Sequence, residues 1–208
     1  MRQNMKKEKA KVAVLVSGGG TNLQAIIDAQ KSGVISSGEV ALVISNKRDA
    51  YALTRAEKAG IKTAVVTKQE WGAEFEDRII SLLKENKADL IVLAGFMVIL
   101  SRKFTETFKN RIINVHPSLI PSFCGEGFYG LLVHEAVLKK GVKVTGATVH
   151  FVNEIPDGGE IIEQKAVRVY PGDTPEKLQK RVMRQAEWKI LPAAIQTISE
   201  RIIKNEHL

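Results

Sequence analysis

An asparagine and a histidine two residues apart, Asn114 and His116, end the apolar stretch that begins at Arg111. Side chains alternate along an extended chain, so both emerge on the same face, about 7 Å apart. Pro117 cannot donate to a sheet ladder, so we expect the strand to end before it. An amide donor beside an imidazole can hold an oxyanion and move a proton. The pair is also compatible with a strand-end histidine next to a turn-forming asparagine.

A second candidate site is the run of three glycines Gly18–Gly20, which follows an apolar stretch. Residues 11–17 are rich in β-branched side chains and predict a strand buried on both faces of a parallel sheet. The residues after the glycines follow a helical pattern, with Thr21 or Asn22 available as its cap. Backbone N–H groups at a helix N-terminus bind anions, so Gly20, Thr21 and Asn22 form a candidate phosphate site. A tight turn without a ligand is the alternative.

The glycine run fits neither of two common nucleotide motifs. The dinucleotide fingerprint fails because Leu23 stands where its third glycine belongs, and the Walker pattern fails because no Gly-Lys-Thr/Ser follows. The run therefore favours a single phosphate over a dinucleotide.

Strand patterns alternate with amphipathic helical patterns along the rest of the chain. We expect strands at 39–44, 63–66, 89–94, 111–116, 144–152 and 160–169, and helices at 50–59, 73–86, 101–108, 131–140 and from 173 to about 191, where Pro192 should break or kink the last one. No repeat or linker divides the sequence. These patterns predict a single α/β domain over residues 11–208, a mostly parallel twisted sheet with helices on both faces, after a flexible basic arm at residues 1–10.

Three segments beyond predicted strand ends could line a site. Residues 96–100 could form a flat apolar pocket or pack under the next helix. The loop 118–130 is long and glycine-rich, as functional loops often are. Asp157, in the turn 153–159, is either an Asx-type turn residue or a carboxylate presented to the site. His150 faces the same sheet edge.

Composition excludes several classes of protein. No apolar run reaches the roughly 20 residues of a membrane span, and the N-terminus does not resemble a signal peptide. The single cysteine, Cys124, excludes an internal disulfide and a multi-cysteine zinc site, so we expect a cytoplasmic protein. Cys124 has no base beside it in sequence that would make it a nucleophile. The histidines and carboxylates show no ligand spacing, so we expect no metal.

The net charge of +8 raises the possibility of nucleic-acid binding. Residues 1–11 hold five basic residues and one acidic residue, about half of the excess. The remaining Lys and Arg do not interleave with aromatics as a stacking platform requires. The charge therefore suits anionic small molecules, and we expect no nucleic-acid partner.

Five segments resemble the folate-dependent phosphoribosylglycinamide formyltransferases, and the resemblance runs from about residue 11 to about residue 200. They are residues 16–26, 45–47, 93–97, 114–119 and 149–159. The resemblance implies a Rossmann-like formyltransferase fold. It also implies transfer of formyl from 10-formyltetrahydrofolate to the amine of glycinamide ribonucleotide in de novo purine biosynthesis. Both partners are small molecules, and the protein would be a monomer or a homodimer.

The resemblance assigns chemistry to four residues. Asn114 and a protonated His116 would donate to the oxyanion formed when the amine attacks the formyl carbon. Asp157 would hold His116 and shuttle the proton that the amine releases. His150 would steady the loop of Asp157.

Substrate contacts follow from the same resemblance. Gly20, Thr21 and Asn22 would bind the phosphate of the substrate. Glu187 would accept from the ribose hydroxyls, although the alignment near it needs a one-residue shift. The folate would lie against Met97, Val98, Ile99, Leu100 and Asn153.

The sequence departs from the family pattern at several positions. Val98 replaces an arginine, and Ala73 stands where some members aim an arginine at the glutamate tail of the folate. Lys68 or Arg78 could take over that contact. Leu132 replaces a histidine, in a region where the preceding loop is longer than in some members.

Three other functions are compatible with part of this pattern. Formyltetrahydrofolate hydrolases share the Asn/His/Asp set but carry an additional N-terminal domain, and methionyl-tRNA formyltransferases carry an additional C-terminal one. This sequence has about ten residues before its first strand and no RNA-binding extension, which favours the first assignment. A non-catalytic nucleotide-binding module would bind phosphate independently of Asn114 and His116.

Overall fold

The computed structural model describes residues 9–206. The strands are β1 Ala10–Val16, β2 Gly38–Ser45, β3 Lys62–Val65, β4 Leu90–Leu93, β5 Ile112–His116, β6 Val144–Phe151 and β7 Ile161–Arg168. The α-helices are α1 Thr21–Lys31, α2 Tyr51–Lys58, α3 Lys68–Trp71, α4 Phe75–Glu85, α5 Arg102–Thr107, α6 Leu131–Lys140, α7 Pro175–Val182 and α8 Trp188–Ile203. Most of the predicted N-terminal arm, residues 1–8, lies outside the described residues, and Ala10 already belongs to β1.

The strands form one sheet in the order β3-β2-β1-β4-β5-β6-β7. The four pairings among β1 to β5 are parallel, and the two that involve β6 are antiparallel. The predicted single, mostly parallel α/β sheet is confirmed. The chain leaves β1 toward β2 on one side and returns to β4 on the other, which makes a topological switch point beside β1. Ligands of open α/β sheets bind at such a point, outside the C-terminal ends of the strands.

Two apolar cores lie on opposite faces of this sheet. Side chains of β1 alternate between them: Val12, Val14 and Val16 enter one core, and Ala13 and Leu15 the other. The first core is closed by α1, α2, α6, α7 and α8, and the second by α4 and α5. Helices therefore cover both faces, and the loops at the C-terminal edge are left to form a site.

The C-terminal helices differ from the prediction. Thr174 caps α7 and Pro175 occupies its first turn, as expected. The predicted break at Pro192 is wrong, because this proline lies inside α8. The irregular turn lies upstream, where residues 183–187 form a π-helical turn that ends at Trp188 with ψ −2. That opening at the residue four positions before Pro192 relieves the clash between the proline ring and a helical carbonyl.

No helix among residues 9–206 combines the length and the apolar character that crossing a bilayer requires.

Candidate active site

A cleft of about 1030 Å³ opens at the C-terminal edge of the strands, next to the switch point. Apart from the candidates for the glutamate tail of the folate, the residues that the sequence assigned to catalysis and to substrate binding line it. These residues are Gly20, Thr21, Asn22, Met97, Val98, Ile99, Leu100, Asn114, His116, His150, Asn153, Asp157 and Glu187. They come from six separate parts of the chain, so the fold gathers them into one site.

The glycine loop turns its carbonyl groups away from the cleft. The Gly18 carbonyl accepts from Ala52 N–H at 3.0 Å, and the Gly20 carbonyl accepts from Gln24 N–H at 2.9 Å. In a trans peptide the next N–H points the opposite way, so the N–H groups of Gly19 and Thr21 face the cleft. A site lined by N–H groups at a helix N-terminus suits a phosphate.

The expected side-chain cap of α1 is absent. Gly20 is the N-cap, with φ 70, and neither Thr21 nor Asn22 caps the helix. A capping oxygen would occupy the free N–H groups that an anion needs. Within the loop, an added Cβ at Gly18 or Gly19 would have nothing within 4 Å, so the space next to these N–H groups, the phosphate cradle, is open.

Asn114 and His150 lie directly opposite each other on the antiparallel strands β5 and β6. Asn114 Nδ2 lies 3.3 Å from His150 Nε2, and His150 Nδ1 lies 2.8 Å from the carbonyl oxygen of Phe151. A carbonyl only accepts, so Nδ1 carries a proton, and Nε2 of the neutral ring accepts from the Asn114 amide. The strand register thus fixes the orientation of the amide donor.

His116 is 4% exposed at the end of β5. Its Nε2–H donates to the Phe123 carbonyl at 2.8 Å, and its Nδ1 lies 3.4 Å from Asp157 Oδ2. Burial lowers the pKa of His116, and the negative charge of Asp157 only partly opposes this. The cationic form expected from the sequence is therefore disfavoured in this arrangement. The Phe123 contact also occupies the Nε2–H group.

Asp157 combines the two interpretations that its sequence left open. It has φ 54 within the turn after β6, and its carboxylate points into the site. Oδ2 accepts from Gly125 N–H at 2.9 Å, while Oδ1 lies 3.5 Å from His150 Nε2. Burial by itself would raise the pKa of Asp157. A hydrogen bond from His150, which forms when both nitrogens of that ring carry a proton, the hydrogen bond from Gly125 N–H and positive charge on the imidazoles outweigh burial, and the pKa is lowered. The group is a carboxylate at neutral pH.

The two imidazoles face one carboxylate. Each donates one N–H to a backbone carbonyl, so in the neutral form His116 Nδ1 and His150 Nε2 both turn a lone pair toward Asp157. One additional proton on either ring converts a repulsive contact into an ion pair. This arrangement of two imidazoles and a carboxylate can accommodate one additional proton.

Glu187 lies where the π turn meets α8 and is 6% exposed. Its Oε2 accepts from Asn22 Nδ2 at 2.8 Å, which links it to the glycine loop. Burial raises the pKa of Glu187 to about 7, against the hydrogen bond from Asn22. A π turn holds one more residue than an α turn, and the predicted one-residue shift falls at this turn. Glu187 is the last residue of this turn and lines the cleft.

Residues 96–100 fulfil both sequence interpretations, because the two ends of the segment are buried and its middle is open to the cleft. Phe96 and Leu100 are buried in the core under α5, whereas Met97 and Ile99 are 52% and 71% exposed at the cleft. Exposed apolar side chains on one wall of a cleft suit a flat aromatic ligand. Val98 is half-buried on the same wall.

The proposed substitutes for the tail-binding arginine lie elsewhere. Arg78 stacks on the Trp71 ring at 5.3 Å and pairs with Glu85 at 3.5 Å, and Lys68 lies over Phe75 at 5.8 Å. Neither side chain nor Ala73 lines the cleft.

Cys124 is half-buried, and its Sγ lies 3.3 Å from the Pro121 carbonyl. Burial and the charge of Asp157 raise the pKa of the Cys124 thiol, which opposes a nucleophilic role.

Sequence reasoning missed His134, in the first turn of α6. It lines the cleft, is fully buried, and neither ring nitrogen has a hydrogen-bond partner among the described residues. Burial, together with the charge of His116, lowers the pKa of His134 to about 4. The position of His134, just after the long loop 118–130, is the sequence feature that could have identified this residue as a candidate. No cluster of three or more His, Cys, Asp or Glu residues in the range 9–206 could hold a metal ion.

Comparison with known proteins agrees with this geometry. Residues 10–195 match the family described as formyl transferase. The chain is 45% identical over 192 residues to the phosphoribosylglycinamide formyltransferase of Haemophilus influenzae, covering 91% of this chain and 87% of that one. It is 46% identical over 198 residues to the trifunctional purine biosynthetic protein adenosine-3 of Gallus gallus; the match covers 94% of this chain but spans only 19% of that protein.

Solved structures give the same result. Glycinamide ribonucleotide transformylase 1 from Symbiobacterium toebii superposes with a TM-score of 0.88 at 40% identity, covering 96% of this chain and 92% of that one. With most of the chain matched in sequence and in fold, the protein belongs to the formyl transferase family.

Proposed function

We propose that the protein transfers the formyl group of 10-formyltetrahydrofolate to the amine of glycinamide ribonucleotide, a step of de novo purine biosynthesis. The layout of the cleft carries the proposal. The cleft brings together backbone N–H groups for a phosphate, exposed apolar side chains and the Asn/His/Asp cluster. A phosphorylated amine and a flat carrier of a formyl group fit these three parts. The names of the relatives in Haemophilus and Symbiobacterium support the same reaction.

Each substrate has its own part of the cleft in this proposal. The phosphate binds to the N–H groups of residues 19–21, and the carboxyl of Glu187 accepts from the ribose hydroxyls. The pterin lies against Met97 to Leu100 and Asn153. The half-buried free thiol of Cys124 fits the reducing cytoplasm, where we place the protein.

Attack of the amine forms a C–N bond and puts negative charge on the formyl oxygen. The Asn114 amide is the donor best placed for this oxyanion, and one such donor typically lowers a barrier by ~2.7–4 kcal/mol. To serve it, Nδ2 exchanges its long contact with His150, 3.3 Å, for the developing charge. The exchange loses little in the ground state, so the new bond acts mainly in the transition state.

One proton must move from the amine to N10 of the folate as the bond between N10 and the formyl carbon breaks. Asp157 and the two imidazoles that face it form the acceptor, because their arrangement is stabilised by one additional proton. The charged ring is His116 or His150 in that state. The same group then returns the proton to the departing nitrogen, as general acid–base catalysis requires.

One assay tests the proposal. Release of tetrahydrofolate from 10-formyltetrahydrofolate is followed with and without glycinamide ribonucleotide. We expect release to require the amine; release at the same rate without it would identify a hydrolase instead.

Asn114→Ala should lower kcat by roughly 100- to 1,000-fold, since it removes an oxyanion donor. Binding of inorganic phosphate should persist in the variant. Asn86→Ala, at the C-terminal end of α4, is the matched control and should keep wild-type turnover. Turnover close to wild type in Asn114→Ala would refute the proposed mechanism.

A further inference from the structure

The side chain of Arg55, on α2, lies behind the glycine loop. Its Nε–H donates to the Gly19 carbonyl at 2.8 Å, and Nη1–H donates to Gln24 Oε1 at 2.9 Å. The guanidinium also stacks on the Tyr51 ring, 4.9 Å from its centroid. These contacts fix a planar, forked group that a lysine cannot reproduce.

The contact with Gly19 decides the direction of one peptide group. In a trans peptide the carbonyl and the following N–H point in opposite directions, so holding the Gly19 carbonyl toward Arg55 aims the Gly20 N–H at the cleft. The neighbouring carbonyls of Gly18 and Gly20 are held by backbone N–H groups. The orientation of the middle peptide therefore depends on a side chain. Without it, the flexible glycine could turn its carbonyl oxygen toward the anion.

The charge of Arg55 is also not cancelled locally. Arg48, Arg102 and Arg181 are each paired with a carboxylate. Within the part of the chain that the structure describes, no carboxylate oxygen lies within 4.0 Å of the guanidinium nitrogens of Arg55. Its partners are a carbonyl, an amide and an aromatic ring, all neutral. A full positive charge thus stands behind the phosphate cradle.

We infer that Arg55 is a positioning residue that makes the cleft selective for a phosphorylated substrate. The inference rests on the proposed function and extends it to a residue outside the cleft. Arg55 acts through the Gly19–Gly20 peptide and through its charge. Its effect is therefore specific to ligands that carry the phosphate.

The kinetic test compares glycinamide ribonucleotide with its dephosphorylated form, glycinamide riboside. Arg55→Gln should lower kcat/KM for the ribonucleotide by about 10-fold or more, through KM, because a charge-assisted contact is lost. The riboside should lose less than about 2-fold, since no phosphate occupies the cradle. KM for the folate should not change. Arg55→Lys should fall between wild type and Arg55→Gln, because it keeps the charge without the fork.

Arg168→Gln is the matched control. Arg168 also stacks on a tyrosine, with its guanidinium 5.7 Å from the Tyr170 ring, but lies on β7, outside the cleft. It should leave both substrates at wild-type kcat/KM. Equal losses for ribonucleotide and riboside in Arg55→Gln would overturn the inference, because they would indicate a general structural role.

A binding measurement separates this inference from the proposed reaction. Inorganic phosphate added to ¹⁵N-labelled protein should shift the amide signals of residues 19–21 in wild type, and much less in Arg55→Gln. Equal shifts in both proteins, or no shift in wild type, would overturn the inference. Shifts that depend on Arg55 in a protein that does not formylate the ribonucleotide would leave the inference standing and refute the proposed function.

Discussion

The glycine loop and the Asn/His/Asp cluster lie in one cleft but are built in opposite ways. The loop consists of consecutive residues, 18–22, and presents backbone N–H groups. The cluster draws Asn114, His116, His150 and Asp157 from β5, β6 and the turn after β6, and presents side chains. A backbone site depends on conformation and free space. A side-chain site depends on the identity of each group and on the partners that orient it.

This contrast predicts that the two regions respond differently to amino-acid substitutions. The cluster should lose its chemistry on isosteric changes that leave the fold intact. The loop should tolerate changes of side chain but not the addition of a Cβ where the backbone requires glycine. Glu187 is hydrogen-bonded to the loop through Asn22, so this side of the cleft should have a pH dependence of its own.

The largest expected effect is that of Asp157→Asn. It removes the negative charge shared by two imidazoles, and loss of a general acid–base group typically costs roughly 100- to 10,000-fold in kcat. KM for glycinamide ribonucleotide should change little, because the loop is untouched. Asp89→Asn, at the opposite edge of the sheet, is the control. A kcat within a few-fold of wild type would show that the cluster does not move the proton.

The same variant should also change the pKa of His116. The charge of Asp157 raises the pKa of His116 against the stronger effect of burial. Its removal should lower the pKa of His116 further, which a titration of the ring protons by NMR would measure. An unchanged or higher pKa would contradict the contact between Nδ1 and Oδ2.

A smaller effect, on the pH dependence of the free energy of unfolding, is expected from Glu187→Gln. The folded-state pKa of Glu187, about 7, lies above its ordinary 4.5, so the folded protein holds this proton more tightly than the unfolded chain. The stability it contributes is complete below about pH 4.5 and is lost as pH rises to about 7. The loss approaches about 3 kcal/mol at pH 8.

Urea unfolding at pH 5 and pH 8 measures this difference. Wild type should lose stability between the two values, and Glu187→Gln should lose clearly less. Glu135→Gln, at an exposed position of α6, should behave like wild type. Parallel curves for wild type and Glu187→Gln would refute the assignment of a buried, protonated Glu187.

The smallest effect is that of Gly20→Ala. Gly20 has φ +70, and a Cβ there would lie 2.6 Å from Ala52 Cβ. The left-handed conformation and the close contact should together cost about 2 kcal/mol of stability. KM for glycinamide ribonucleotide should rise in the same variant. Gly18→Ala, with open space and no positive φ, should be far milder in urea unfolding; equal destabilisation would count against this account of the loop.

Much of the architecture could be predicted from the sequence because the patterns that indicate strands and helices are local. Buried β-branched runs identified the parallel strands, and the helix predicted over residues 131–140 coincides with α6. The cap of α1 was not correctly predicted, because Thr21 and Asn22 are good capping residues by type and only the left-handed Gly20 excludes them. The helix break predicted at Pro192 was wrong because a proline usually breaks a helix, and the π turn that accommodates this proline has no local sequence signature.

The sequence alone determined which groups could do chemistry: an amide and an imidazole two residues apart on one strand, a glycine run before a helix, and a turn aspartate. These follow from alternation along a strand and from turn preferences, which act over a few residues. The tertiary structure decided which groups meet. It placed Asp157 between two imidazoles and brought the Phe123 carbonyl within hydrogen-bond distance of His116. It also buried His134 and placed Arg55 behind the glycine loop. Those contacts join residues of different strands, helices and loops, and only the packing of the sheet and its loops fixes such distances.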